Sequence, residues 1–184
     1  MMAKSKGKFV TMAYTLLELN PEAQIEAARK IKQLTGQDLT QIIPEGWYDT
    51  SVIESVFQIV EKYYGSIMAW STIKVMGRRI YPTIAKTVGF PTHLKTPLDW
   101  LRWEGQSFLN DHQGRDVVPR NFLKVEPDHI IVEAISPGYN CILVEGVFEG
   151  ILDMCNIKTY KVKQTRCVKK GNPVCEYDIT WKEA

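Results

Sequence analysis

Long apolar runs are missing from this sequence, and their absence excludes a helix that crosses a membrane. No stretch of about 18 consecutive apolar residues occurs, and a membrane-spanning helix needs at least that length. The first residues, Met-Met-Ala-Lys-Ser-Lys-Gly-Lys, carry charge but are not followed by the apolar stretch and cleavage site of a signal peptide. We therefore expect a cytoplasmic protein whose four cysteines are free thiols or metal ligands rather than disulfides.

The motifs of several large enzyme classes are missing as well. The chain contains no Walker loop, no Gly-x-Gly-x-x-Gly, no His-Glu-x-x-His and no Gly-x-Ser-x-Gly. Acids near His112, namely Glu104, Asp111 and Asp116, are predicted to be surface charges rather than acid–base partners. Because no nucleophile has a suitable partner, the sequence disfavours an enzyme without excluding one.

Excess charge is also absent, since the net charge is only +2. This balance gives no general case for binding nucleic acid. The region 158–170 holds six lysines and arginines and no acid, and we interpret it as the solvated face of a hairpin.

The pattern along the 184 residues predicts a single α+β domain, 1–184, with residues 1–8 as a flexible lead-in. A helical first two-thirds is followed by a β-hairpin, a helix and a second β-hairpin, which form a small antiparallel sheet. Pro82 is expected to interrupt the fourth helix, and Ile67 and Trp70 to belong to its buried stripe. Residues 9–19 fit a strand or a first helix, and the helix is favoured. The other predicted helices are 21–35, 39–43, 50–64, 66–76, 84–88, 97–112 and 141–156, and the predicted strands of the first hairpin are 122–125 and 129–135.

The terminal hairpin carries two cysteines on either side of a turn centred on Gly171. Cys167 and Cys175 would then face each other, close enough to share a metal or to form a disulfide. Upstream, Gly146 and Gly150 lie four residues apart on one helix, where we expect them to let another element approach closely.

The closing segment resembles a known superfamily. It reads Gln164-Thr-Arg-Cys167-Val-Lys-Lys-Gly171-Asn-Pro-Val-Cys175-Glu-Tyr-Asp-Ile, which looks like the end of the vinyl-4-reductase-type domain. That superfamily also contains the haem nitric-oxide/oxygen-binding (H-NOX) sensor domains and the TRAPP subunits of Golgi transport. The match is loose over 45–182 and specific over 120–182. It implies a helical N-terminal part and a small antiparallel sheet flanked by helices.

The resemblance implies a zinc site at Cys141, Cys167 and Cys175. In the phenol-sensing relatives a glutamate completes this set, but Gln164 stands at its position here. Since structural zinc needs four anionic or imidazole donors, Cys155 or Glu176 would have to supply the fourth, and otherwise the cysteines stay free thiols.

The resemblance also implies haem, held by a histidine on the helix before the first hairpin. His112 stands at that place. The Tyr-x-Ser-x-Arg motif that clamps the haem propionates in those sensors is missing, because the matching segment is Ala134-Ile-Ser136-Pro-Gly138. The arginine that would pair with a propionate is therefore lost.

Fold analogy further predicts an apolar cavity between the helices and the sheet. The leading hypothesis is a regulatory module that binds a hydrophobic small molecule and signals through a homodimer or a separate signalling protein. The alternatives are a haem-based NO/O2 sensor, an enzyme or accessory protein of tetrapyrrole metabolism, and an adaptor that holds an acyl chain. The residues predicted to line the cavity are Trp70, Met76, Trp100, Trp103 and Phe108.

Overall fold

The computed structural model describes residues 3–87, 89 and 91–182, and within them it has mixed helices and antiparallel strands. The predicted α+β class is confirmed. The helices are α1 (Gly7–Thr15), α2 (Pro21–Thr35), α3 (Thr50–Tyr64), α4 (Ser66–Thr87), α5 (Pro97–Asp111) and α6 (Cys141–Met154). The strands are β1 (Lys4–Lys6), β2 (Trp47–Asp49), β3 (His112–Gln113), β4 (Asn121–Glu126), β5 (His129–Ala134), β6 (Thr159–Arg166) and β7 (Cys175–Lys182), with single 3-10 turns at Leu39–Gln41 and Val168–Lys170.

The contacts divide the chain into two compact units, each built from separate stretches of sequence. The first unit takes residues 1–73, 111–117 and 137–140. The second takes residues 74–110, 118–136 and 141–184.

In the first unit, helices pack beside a three-stranded sheet in the order β2-β1-β3. The Asn20 side chain accepts the Ala23 N–H at 3.0 Å, and Gly36, at a φ of 73°, ends the same helix, α2, as the sequence predicts. The small sheet was not predicted. Lys4–Lys6, inside the segment expected to be flexible, forms its central strand.

In the second unit, one face of a four-stranded antiparallel sheet, in the order β4-β5-β7-β6, is buried. The buried side chains alternate along the strands, for example Ile130, Val132 and Ala134 on β5. They give this unit the apolar core that the predicted hairpins required.

The observed helix α4 differs from two sequence predictions. It continues through Pro82 rather than stopping there, and Ile67 and Trp70 are 83% and 51% exposed rather than buried. Pro82 has no N–H to offer the Arg78 carbonyl four residues earlier. A Cβ at Gly150 of α6 would collide with that same carbonyl oxygen, so the α6 backbone packs directly against it.

The close approach predicted for Gly146 and Gly150 is confirmed. A Cβ at Gly146 would collide with the Lys74 carbonyl of α4, and one at Gly77 would collide with α6 in the same way. Ion pairs flank this crossing, because Lys74 Nζ lies 2.8 Å from Glu149 and Arg78 binds Asp153 with two nitrogens.

None of the described helices combines the length and the apolar character that a membrane crossing requires.

Candidate functional site

Three cysteines converge at the start of α6 and the loop between β6 and β7. The Cys141 sulfur lies 3.6 Å from the sulfurs of both Cys167 and Cys175, and all three lie within 4.8 Å of one another. Cys167 follows the last residue of β6 and Cys175 opens β7, so a turn through Gly171, at a φ of 86°, brings them together. The three residues predicted to bind metal therefore form one cluster.

The thiols of this cluster differ in their acidity. A hydrogen bond from the Cys141 thiol lowers the pKa of Cys175 to about 7, and the Val168 N–H supports the thiolate from 3.5 Å. The same bond, together with burial, raises the pKa of Cys141 well above the ordinary range. Without metal, Cys175 is thus the more acidic thiol of the Cys141–Cys175 pair.

Three thiolates suit zinc, but a fourth thiolate or imidazole does not join them among the described residues. Neither Cys155 nor Glu176 belongs to the cluster. Glu176 instead accepts a hydrogen bond from Thr165 at 2.6 Å. Gln164 contacts Cys141 by a side-chain hydrogen bond in which its amide N–H donates to the sulfur, and a neutral amide is a poor zinc ligand.

A second polar cluster lies under α5. Arg120 donates to both carboxylate oxygens of Glu104, at 3.1 and 2.8 Å, and the two side chains are only 3% and 5% exposed. Its remaining nitrogen donates to the Ser136 hydroxyl at 3.1 Å and to the Ile135 carbonyl at 3.3 Å. The Phe108 ring covers the guanidinium from 4.1 Å. This is a bidentate ion pair withdrawn from water.

The sequence analysis does not predict this ion pair and places Glu104 on the surface. The structure corrects that prediction, because Glu104 is buried. Glu104 lies on the buried face of α5, one turn from Leu101 and from Phe108. An acid at a buried helical position requires a cation partner, because an unpaired buried charge is strongly unfavourable. That pattern was the signal available in the sequence.

An open groove of about 380 Å³ runs beside this pair, within the second unit. Arg120 and Gly105 contribute to its wall, and Arg102 and Asp99 place opposite charges on its lining. Its apolar wall consists of Leu94, Trp103, Leu109, Pro119 and Phe122, and its other polar residues are His93 and Gln106.

Of the residues predicted to line a pocket, Trp103 alone lines this groove. Trp100 and Phe108 are buried in the second unit, and Trp100 stacks edge-on against Trp103 at 6.1 Å. Met76 is half-buried on α4, and Trp70 is exposed. The five-residue pocket as a whole stays a prediction.

His112 lies in the first unit. Helix α5 ends one residue earlier than predicted, and His112 begins strand β3. It pairs with Ser5 of β1 and is buried, with the Phe9 ring 5.0 Å away. Its Nε2 lies 2.9 Å from the Tyr139 hydroxyl, and the tautomer decides which atom donates. Burial raises the pKa of Tyr139 well above its usual value.

Comparison with solved structures identifies the fold. An H-NOX protein from S. oneidensis in an Fe(II)NO state superposes with a TM-score of 0.72 at 12% identity, over 97% of this chain and 99% of that one. A Cs H-NOX mutant gives 0.71 at 18% identity, over 97% of each chain. A mutant H-NOX from T. tengcongensis gives 0.68 at 18% identity, over 97% of this chain and 98% of that one. The chain has an H-NOX-like fold.

Sequence comparisons add no closer relationship. No protein-family profile matches the chain. No curated protein matches it either. At such identities the H-NOX-like fold is established, and the ligand must be argued from this chain's own residues.

Proposed function

We propose that this H-NOX-like chain is a sensor domain that binds a small amphipathic molecule and regulates a protein partner. The observation that carries the proposal is the groove between α5 and β4. Its volume falls in the range of ligand sites, and its wall is apolar with a few convergent polar groups. Fold analogy with ligand-binding H-NOX proteins supports the same role.

The groove favours a flat apolar ligand that carries an acidic group. Trp103, Leu109 and Phe122 offer apolar and aromatic surface, and Arg102 offers an exposed cation on the same lining. Asp99, whose pKa is lowered by hydrogen bonds from Thr96 and Lys95, stays ionised and opposes a second acidic group. One anionic group beside an aromatic body therefore suits the lining.

A fluorescent aromatic sulfonate, 8-anilinonaphthalene-1-sulfonate, tests the groove. We expect one saturable site in the native chain and loss of that site in Leu109→Trp, which fills the groove. Val125→Trp adds the same ring at an exposed position of β4 outside the lining and should bind like the native chain. Equal binding by Leu109→Trp and the native chain would refute the groove as the ligand site.

Zinc at Cys141, Cys167 and Cys175 is part of the proposal, as a structural clasp rather than a catalytic centre. The convergence of three sulfurs supports it. Zinc supplied there would tie α6 to the terminal hairpin, because its ligands come from both. Metal analysis should find about one zinc per chain, lost in Cys175→Ser and retained in the matched control Cys155→Ser. A metal content equal in all three proteins would refute the clasp.

Protein partners are the expected route of signalling, by a homodimer or by a separate signalling protein. Ile67, Met68 and Trp70 form an exposed apolar patch on α4, and such patches commonly mark protein contacts. Sedimentation of the native chain and of Trp70→Glu should show an assembly that the variant loses. A monomeric native chain would leave a separate signalling protein as the partner. The cytoplasmic location, the vinyl-4-reductase-type activity and the trafficking relationship stay predictions.

A further inference from the structure

The Arg120 side chain packs against the middle of α5, over Gly105. Gly105 lies on the buried face of this helix, and a Cβ added there would stand 2.8 Å from the Arg120 Cγ and 3.4 Å from its Cβ. A carbon–carbon contact of 2.8 Å is absent from packed proteins, so no side chain can project from position 105 while the Arg120 stem keeps its place.

Arg120 cannot move aside without loss. It is held at one end by the bidentate pair with Glu104 and at the other by Ser136 and the Ile135 carbonyl, with Phe108 against its plane. Moving it would leave the Glu104 carboxylate buried without a partner. The closure of position 105 is therefore a stable feature of the second unit.

The haem implied by the resemblance does not fit these residues. In the haem sensors the iron ligand is a histidine on the helix before the first hairpin, and here α5 contains no histidine along its whole length. The nearest one, His112, belongs to a strand, and its Nε2 is in hydrogen-bonding contact with Tyr139. To bind iron through Nε2, His112 would have to give up this contact with Tyr139.

Two positions of the propionate-binding motif of the haem sensors, 136 and 138, are also blocked in this chain. Ser136, the one residue of the Tyr-x-Ser-x-Arg pattern that remains, accepts a hydrogen bond from Arg120. The arginine position is Gly138, whose φ is 81°, and a Cβ there would collide with the Thr50 side chain and stand 2.6 Å from its carbonyl oxygen. An arginine at this position is thus disfavoured by backbone conformation and by space.

We infer that this domain works without haem, and that Arg120, held by Glu104, is the specificity-determining residue that keeps an axial ligand from projecting out of α5. The inference rests on the proposed sensor function, whose ligand class it narrows to molecules other than a metal porphyrin. The haem inference and the proposed sensor function can be tested separately. Haem uptake would overturn the inference and leave the sensor role standing, whereas failure of the groove experiment would remove the proposed function alone.

The test is an absorption titration of the full chain with haemin, under oxidising and reducing conditions. The chain is produced with added δ-aminolevulinate so that haem is not limiting. We expect no Soret band from coordinated iron, and the same spectrum for His112→Ala. A stoichiometric Soret band from coordinated iron would overturn the inference, and its loss in His112→Ala would identify the ligand.

A designed opening of the site tests the role of Arg120. Glu104→Gln, Gly105→His and Arg120→Ala together place an imidazole on α5, remove the Arg120 Cγ that stands 2.8 Å from the added Cβ, and leave no buried charge unpaired. We expect the affinity for haemin to rise about tenfold or more, equivalent to about 1.4 kcal/mol. Gly105→His alone is the matched control and should gain nothing, because Arg120 still occupies the space.

Circular dichroism establishes whether the triple variant folds. A folded triple variant with no gain in haemin affinity would overturn the assignment to Arg120. If the triple variant does not fold, the native titration decides the haem question. The double variant Glu104→Gln/Arg120→Ala with an added imidazole ligand in solution then decides the role of Arg120: a gain in affinity supports it and no gain overturns it.

Discussion

Replacing Arg120 by alanine should destabilise the chain more than the loss of any surface ion pair. The substitution leaves Glu104, 5% exposed, without its cation and leaves the Ser136 hydroxyl without its donor. Removing one partner of a buried ion pair costs about 3–5 kcal/mol. For a chain of this size, each kcal/mol lowers Tm by about 2–4 °C, so the expected fall is about 6–20 °C. Whole domains are stable by only about 5–15 kcal/mol, so the variant stands close to unfolding.

Thermal unfolding followed by circular dichroism measures this fall, with urea unfolding as a second measurement. Lys32→Ala is the control, since it breaks an ion pair with Asp38 in which both side chains are more than half exposed. Exposed pairs contribute about 0–1 kcal/mol, so the control should melt close to the native chain. If Arg120→Ala and Lys32→Ala lower Tm equally, the argument that the Arg120 pair is buried and essential is wrong.

Three further predictions concern other parts of the chain. Gly146→Ala should lower the free energy of unfolding by about 1–3 kcal/mol. The loss should exceed that of Gly105→Ala, because a Cβ at position 146 collides with a helix backbone and one at position 105 only with a side chain. Equal urea midpoints for the two variants would contradict this. Asn20→Ala should cost about 0.5–2 kcal/mol by removing the cap of α2, and an unchanged midpoint would contradict it. The free energy of unfolding of the metal-free chain should rise between pH 7 and 9, because the pKa of Cys175 is lowered to about 7 in the folded state, so its thiolate forms there first. Above pH 9 the free energy of unfolding should fall, because Cys141 has a raised pKa and keeps its proton in the folded state while the same thiol ionises in the unfolded chain. A pH profile that is unchanged in Cys141→Ser/Cys175→Ser would contradict both the predicted rise and the predicted fall.

Local signals in the sequence predicted much of the fold. Asn20 and Gly36 mark the ends of α2, because a capping side chain and a left-handed glycine each satisfy terminal backbone groups. Cys167 and Cys175 are predicted to lie near each other, and their sulfurs do, because the short turn through Gly171 returns the chain directly from β6 to β7. These inferences succeeded where a few neighbouring residues decide the geometry.

Long-range pairings were harder to predict. Strands β1, β2 and β3 are only two or three residues long and lie far apart in the sequence, so they carry no periodic signal. Pro82 was read as a helix end because its missing N–H is locally unfavourable. The close packing of Gly150 against the Arg78 carbonyl is a tertiary feature that outweighs this local preference.

Ser136, Gly105 and the buried ion pair belong to one arrangement around Arg120. The Ser136 hydroxyl accepts a hydrogen bond from Arg120. Gly105 would be an unfilled position on a buried helix face, but the Arg120 stem packs over it. A side chain at position 105 would meet Arg120, and replacing Arg120 leaves Glu104 buried without its cation. Single substitutions at Gly105 or Arg120 should therefore lower stability, whereas replacing Glu104, Gly105 and Arg120 together avoids both costs.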